Sequence, residues 1–299
     1  MEEVYERILA ALPEQAAACL RLLDGTQRRA VTEVRLRAGA PASVTLGGGN
    51  RYMTAAGPRR SGEAALVFTE ADLKAFLYRF CGGSVYAHER TLAKGYLTVR
   101  GVRVGVAGSF GEKGVEKIGS LCIRLPRHVE GCAAALVSAA RRDGCLRGVL
   151  VASAPGVGKT TVLRDFARTL ASGEDARRVV LIDEREELFL PEVFAGCLID
   201  VVAGVDKAAG LTNAVRALAP EAAVFDEIVS EAEARSLAAA HAGGVAIYAS
   251  VHETSAEAIL AKPSLAALFA AGVFGGVYLL SKDADGKRTG RYADVGGGR

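Results

Sequence analysis

The sequence predicts an α/β fold: a mostly parallel sheet covered by helices on both faces, preceded by a smaller N-terminal α+β domain. Three observations predict it. From residue 148 onward, apolar runs at 148–152, 179–183, 198–202, 222–226 and 245–250 alternate with helical patterns, and strands buried on both faces read as continuous apolar runs. The first run breaks at once into a glycine-containing loop and then a helix. Ahead of that run the signals are alternating strands and hairpin turns, so domains are expected at 1–140 and 141–299, with the boundary near Arg141, Arg142, Asp143 and Gly144.

The smaller domain is read in order. Val4, Ile8, Leu12 and, past Pro13, Leu20 and Leu23 recur at helical spacing, which gives two short helices around the proline. Residues 31–37 alternate and stop at Gly39, as a strand does. After a polar, glycine-rich stretch over 47–62, Thr69 caps a helix through Leu73, Phe76, Leu77 and Phe80. Residues 95–107 read as a hairpin turning near Gly101, and 118–125 as a further strand. That sheet projects Arg100, Arg103, Arg124 and Arg127, either onto a solvated face or toward a phosphate across a subunit boundary.

Composition narrows the classes. Half of the 299 residues are apolar, enough for a globular protein of two domains. The six cysteines show no C-x-x-C pair and no histidine at zinc spacing, so neither a metal cage nor a disulfide framework is suggested, and a reducing cytoplasm fits. The acidic start lacks the features of a signal peptide. The uncharged stretch 264–281 approaches the ~20 residues of a membrane span, but Gly272, Gly275 and Gly276 split it, and a core helix followed by a buried strand over 277–280 is expected. Residues 1–147 carry 22 Lys and Arg against 14 Asp and Glu, whereas 148–299 carry 15 against 20. A basic half joined to an acidic half suits anionic lipid, nucleic acid or the acidic face of a neighbouring subunit.

The chemistry lies between Val149 and Thr161. Gly156 and Gly158 have no Cβ, so the loop of Ser153, Ala154, Pro155, Gly156, Val157 and Gly158 can curl until its N–H groups converge on phosphate oxygens. The helix that follows, over 158–171, aims its N-terminus, with Lys159, Thr160 and Thr161, at the same point. Lys159 is expected to reach the β and γ phosphates of ATP or GTP, and the Thr160 hydroxyl to hold Mg²⁺. The pattern G-x-x-x-x-G-K-[ST] asks for glycine where Ser153 stands; serine is small enough to leave a strand there.

Sheets of this kind bind ligands beyond the carboxyl ends of their strands. At those ends stand Asp183, Glu184 and Arg185, then Asp226 and Glu227, then Ser250 to His252. Asp226 is expected on Mg²⁺ and Glu227 on the attacking water. Asp183 and Glu184 repeat the format, either as a second pair that places water or metal, balanced by Arg185, or as a salt-bridged turn. His252 is a candidate γ-phosphate sensor or a structural histidine, and Arg216, on the helix before the 222–226 strand, a candidate sensor or an exposed arginine. Ser230 and Glu233 make a capping box, and 282–299 reads as a polar, glycine-ended tail.

With these residues placed, the chain resembles the stage III sporulation protein AA ATPases, relatives of the type II and type IV secretion and pilus motors. The likeness runs from Glu33 to Gly39, through Gly101 to Gly108, the phosphate loop, Asp183 to Leu188 and Arg216 to Glu221, into Asp226, Glu227 and Ile228, and Ser250 to His252 is similar to that family's histidine box. Three positions depart from its pattern: Ser153 and Ala154 in place of Gly-Pro, Val229 in place of a glycine, and Glu253 in place of a glycine. The resemblance implies a P-loop NTPase domain of RecA-like type and an ATPase using ATP and Mg²⁺. It further implies a homo-oligomer, a hexameric ring, peripherally docked on membrane-embedded channel subunits at the cytoplasmic face during endospore formation. The smaller domain would then serve oligomerisation and docking, with Arg100, Arg103, Arg124 or Arg127 acting in trans.

Three other functions fit parts of the chain. A nucleic-acid motor or loader suits the basic half, although 6% aromatic residues and no Trp leave few stacking platforms. A nucleotide-binding scaffold with little hydrolysis suits the altered loop, and retention of Lys159, Asp226 and Glu227 opposes it. A small-molecule kinase would call for a lid-like insertion, and none is apparent.

Overall fold

The computed structural model describes residues 2–111, 114–142, 145–283 and 288–295. The chain divides into two compact units, Met1–Arg127 and His128–Arg299. The expected boundary at 140/141 thus lies inside the second unit, because the helix over Ala134–Ala140 packs with the cradle helix and the Ala133 N–H donates to the buried Asp165 carboxylate at 2.9 Å. Asp143 and Gly144 lie outside the described residues.

The first unit begins with α1 (Glu2–Ala11), α2 (Glu14–Arg21) and α3 (Gly25–Ala30), the first two separated by Pro13. Then come β1 (Val31–Arg37), β2 (Ala40–Leu46), β3 (Gly49–Tyr52), α4 (Glu70–Phe80), α5 (Glu89–Leu92), β4 (Tyr96–Val99), β5 (Val102–Gly111) and β6 (Gly114–Arg124). The six strands form an antiparallel sheet in the order β3-β2-β1-β6-β5-β4. Within the polar, glycine-rich stretch lies a strand, β3, that closes a hairpin with β2 through Gly47 and Gly48, both at positive φ. Alternation sends Val34, Leu36, Leu97, Val104, Leu121 and Ile123 to one face, where they form a core with α1, α2 and α4. Thr69 closes the predicted cap of α4, with Asp72 completing a capping box.

In the second unit follow α6 (Ala134–Ala140), β7 (Arg141–Arg142), β8 (Cys145–Leu146), β9 (Val149–Ala152), α7 (Lys159–Leu170), β10 (Val179–Asp183), β11 (Ile199–Ala203), α8 (Lys207–Leu218) and β12 (Ala222–Glu227). The chain continues through α9 (Glu231–Ala242), β13 (Ala246–Val251), α10 (Ala256–Leu260), α11 (Pro263–Ala270), β14 (Gly276–Lys282) and β15 (Arg288–Asp294). Seven strands run β11-β10-β12-β13-β9-β14-β15, parallel except for the last pair. Leu150, Val180, Ile182, Phe225 and Ile247 pack on the side of α8, α9 and α11, while Val149, Val151, Leu181, Val224 and Tyr248 pack on that of α6 and α7. Burial on both faces explains the uninterrupted apolar runs.

Part of the expected tail is β15, an edge strand paired residue for residue with β14 from Gly276↔Asp294 to Lys282↔Arg288. Residues 284–287 and 296–299 of that stretch lie outside the described residues. The uncharged stretch splits into α11 and β14 as expected, and among the described residues no helix is long and apolar enough to cross a membrane.

Candidate active site

The carboxyl ends of β9, β10, β12 and β13 carry the polar groups of the site. After β9 the chain turns through Gly156 at φ +74° and Gly158 at φ +116°, values that L side chains rarely adopt. Ser153 is not among the positive-φ residues, so the turn needs no glycine there. Its hydroxyl donates to the Ala154 carbonyl at 2.8 Å.

Lys159 opens α7 and is buried, with 7% of its surface exposed. Its Nζ donates to the Ser153 carbonyl at 3.1 Å and to His252 Nδ1 at 2.7 Å. A lysine ammonium only donates, so Nδ1 is the acceptor and the ring proton sits on Nε2, which faces Glu227 Oε1 at 3.3 Å. Burial lowers the lysine's pKa, and the nearby Glu227 and Asp226 carboxylates work against that. Lys159, His252 and Glu227 thus form one connected chain.

Between Phe225 and Glu227 the β12 pairing to β13 slips by one residue, a bulge at Asp226. Bulges re-aim side chains, and this one falls where two adjacent carboxylates are placed. Asp226 Oδ1 lies 3.5 Å from Thr160 Oγ1. Burial, with Asp183 and Glu187 close by, pushes the Asp226 carboxyl up to about 6. A bound cation would relieve that crowding of acidic groups, so Thr160 and Asp226 fit a divalent metal. Among the described residues no group of three or more His, Cys, Asp or Glu could cage an ion. Mg²⁺ is commonly held by one or two protein groups together with substrate phosphates.

Asp183 and Glu184 have separate fates. Asp183 is buried, and its carboxylate accepts the backbone N–H groups of Glu187, Leu188 and Phe189, each at 2.9 Å. Burial raises its pKa, with those three donors and the Arg164 guanidinium pulling the other way. It organises the loop after β10. Glu184 is exposed and makes no hydrogen bond or ion pair among the described residues. Arg216 is also exposed, in the last turn of α8. Nine residues of helix, at 1.5 Å each about 13 Å, separate it from Lys207 at the site end, so it does not reach its own chain's cradle.

Two buried cations escaped the sequence reading. Arg164, on α7, donates to the Leu188 carbonyl at 2.7 Å and to the Glu187 carbonyl, and burial brings its pKa down to about 10. Lys207, at the start of α8, donates to the Glu227 carbonyl at 2.6 Å and pairs with Glu233 Oε1 at 3.0 Å, both side chains buried. Glu233 Oε2 accepts the Val229 and Ser230 N–H groups at 2.6 and 3.1 Å, which holds the turn after Glu227. The capping box was legible, and the lysine beneath it was not. Glu253, the departure beside His252, is ion-paired with Lys262.

In the first unit, Arg103 on β5 is directly opposite Arg124 on β6, on the face away from the core. Glu33, the partner of Arg124 on β1, lies 3.9 Å from Arg124 and 2.7 Å from Arg35, and Arg103 stacks on the Tyr96 ring at 4.3 Å. Arg100 sits at the β4–β5 turn, where it and Gly101 both have positive φ, and Arg127 is exposed at the end of the unit. Of the four predicted arginines, two share a patch.

Comparison with known proteins bears on the family and the fold. Residues 5–297 match the family model described as sporulation stage III, protein AA. The chain is 32% identical over 283 residues to stage III sporulation protein AA of Bacillus subtilis (strain 168), covering 90% of this chain and 87% of that one. Its fold is similar to that of the Legionella pneumophila ATPase DotB, with a TM-score of 0.61 at 14% identity over 89% of this chain and 77% of that one. It is likewise similar to the pilus retraction motor PilT with bound ADP, at 0.61 and 15% over 91% and 81%. The fold is that of the P-loop secretion ATPases, and the chain belongs to the sporulation stage III protein AA family.

Proposed function

We propose that this protein is an ATP-hydrolysing motor of a secretion-like channel complex in endospore formation, working as an oligomeric ring at the cytoplasmic face of the membrane. The observation that carries the reading is the convergence of Lys159, Thr160, Asp226, Glu227 and His252 at one end of the sheet. The loop N–H groups and Lys159 bind and orient the phosphates. Thr160 and Asp226 hold Mg²⁺, which when bound neutralises phosphate charge. Glu227 accepts the proton of the attacking water, and its line to Lys159 through His252 gives it a connection to the γ-phosphate.

The arginine patch supports a site completed by a second subunit. Like charges directly opposite on adjacent strands destabilise a sheet, and Arg103 stands directly opposite Arg124, which has Glu33 beside it on β1. An anion from the acidic unit of a neighbouring copy, or its bound phosphate, would offset that repulsion.

The test is steady-state ATP hydrolysis by the full chain, with single-stranded nucleic acid and anionic liposomes as separate additions. Hydrolysis abolished in Lys159→Ala and Glu227→Gln, and indifferent to nucleic acid, supports the motor reading. Binding without hydrolysis in the wild type would make the protein a scaffold, and salt-sensitive stimulation by nucleic acid would make it a nucleic-acid motor.

A further inference from the structure

The β14–β15 hairpin ends in a register pair of two cations, Lys282↔Arg288. Both side chains turn onto the cradle. Lys282 Nζ donates to the Gly156 carbonyl at 3.2 Å, and Arg288 Nε donates to the Val157 carbonyl at 3.1 Å. The guanidinium lies so near the loop that a Cβ on Gly158 would collide with it. Gly158 is required for its φ of +116°, and a side chain there would also have to displace the Arg288 guanidinium.

A trans peptide is planar, with its C=O and N–H pointing in opposite directions. Fixing the Gly156 carbonyl fixes the N–H of Val157, and fixing the Val157 carbonyl fixes the N–H of Gly158. We propose that Lys282 and Arg288 are positioning residues for nucleotide, which hold two consecutive cradle peptides with their carbonyls toward the hairpin and their N–H groups toward the phosphate site. This rests on the nucleotide-binding reading above. Without the two cations, each peptide is free to flip and present a carbonyl to an anion, the wrong charge for phosphate. The Arg288 guanidinium also acts electrostatically on the Cys132 thiol, pulling its pKa down against burial. The hairpin thereby joins the carboxyl-terminal end of the sheet to the loop after β9.

The test uses the full chain and a fluorescent ADP analogue, with steady-state ATP hydrolysis alongside, for the wild type, Arg288→Ala, Arg288→Lys and Lys282→Ala. One charge-assisted hydrogen bond corresponds to about tenfold or more in an equilibrium. Arg288→Ala is expected to raise the nucleotide Kd and the KM for ATP by about tenfold, with kcat at saturation within about twofold. Lys282→Ala, at an exposed side chain, is expected to raise both by about threefold, and Arg288→Lys, which keeps one cationic donor, to recover most of the loss. Thermal unfolding of the nucleotide-free variants monitors the fold. Wild-type affinity in Arg288→Ala and Lys282→Ala, or tighter binding in either, overturns the proposal while leaving the function intact. A fall in kcat and melting temperature that Arg288→Lys does not rescue also overturns it, since that marks a merely structural arginine. Failure of the wild type to bind nucleotide overturns both readings.

Discussion

Lys159 Nζ donates to His252 Nδ1 across 2.7 Å, and the other nitrogen of that ring faces Glu227. On the proposed function, the lysine that would meet the phosphates is in hydrogen-bond contact with the histidine that faces the proposed base. A bound γ-phosphate would then compete with His252 for the lysine, and releasing that bond would alter how the imidazole addresses Glu227.

His252→Ala should separate binding from chemistry. The expected outcome is a nucleotide Kd within about threefold of wild type and a kcat lower by about a hundredfold, a typical size for losing a group that serves general-base chemistry. Equal kcat in variant and wild type would leave His252 with a packing role only.

Asp183 is a structural carboxylate, and its substitution should show in stability. Asp183→Ala strands three backbone N–H groups, and urea unfolding is expected to lose about 3 kcal/mol. Glu184→Gln, at an exposed side chain, should leave both stability and ATP turnover unchanged within about twofold.

Lys207 and Glu233 form a buried ion pair beneath the turn that follows Glu227. Lys207→Met is expected to cost about 3–5 kcal/mol, because it leaves Glu233 buried and unpaired. The double variant Lys207→Met, Glu233→Leu should recover much of that, and a double-mutant cycle in urea measures the coupling. Turnover should fall in both, since the Glu227 carbonyl loses its donor.

His128 gives the second unit a dependence on mild acid. Its ring is largely buried, its Nδ1 has no partner among the described residues, and burial lowers its pKa below the ordinary 6.5. Asp165 and Glu130 oppose that shift, while Arg164 and Arg168 add to it. Above 6.5 the folded and unfolded chains both hold a neutral ring. As pH falls from there toward the folded-state value the unfolded chain protonates first, so stability drops across that window and then levels. Melting curves between pH 7.5 and 5, the range of about one unit around the transition that histidine titration spans, should show a shallower decline in His128→Gln than in wild type.

The sequence was most legible where local rules and burial coincide. The apolar runs of β9, β10, β12 and β13 could be placed because both faces are buried, and the caps at Thr69 and Ser230 because a side chain there bonds its own backbone. β15 was missed because an edge strand carrying Arg288, Thr289, Gly290 and Arg291 has no apolar alternation to show. Its Arg288 was hidden with it. Arg164 and Lys207 look like surface residues of helices in the sequence, and only tertiary packing buries them. Asp183 and Glu184 are adjacent and chemically alike, yet the strand ends between them and points one inward and the other to solvent. That choice depends on register, which a single sequence does not display.

ATP turnover per subunit as a function of protein concentration tests the central claim most directly. An active site completed by the arginines of a neighbouring copy predicts a rate per subunit that rises with concentration to a plateau. Lys159→Ala and Glu227→Gln should abolish that rate, and Arg103→Ala or Arg124→Ala should lower it without weakening nucleotide binding. A rate per subunit that is constant from the lowest concentration, and unaffected by either arginine variant, would contradict it.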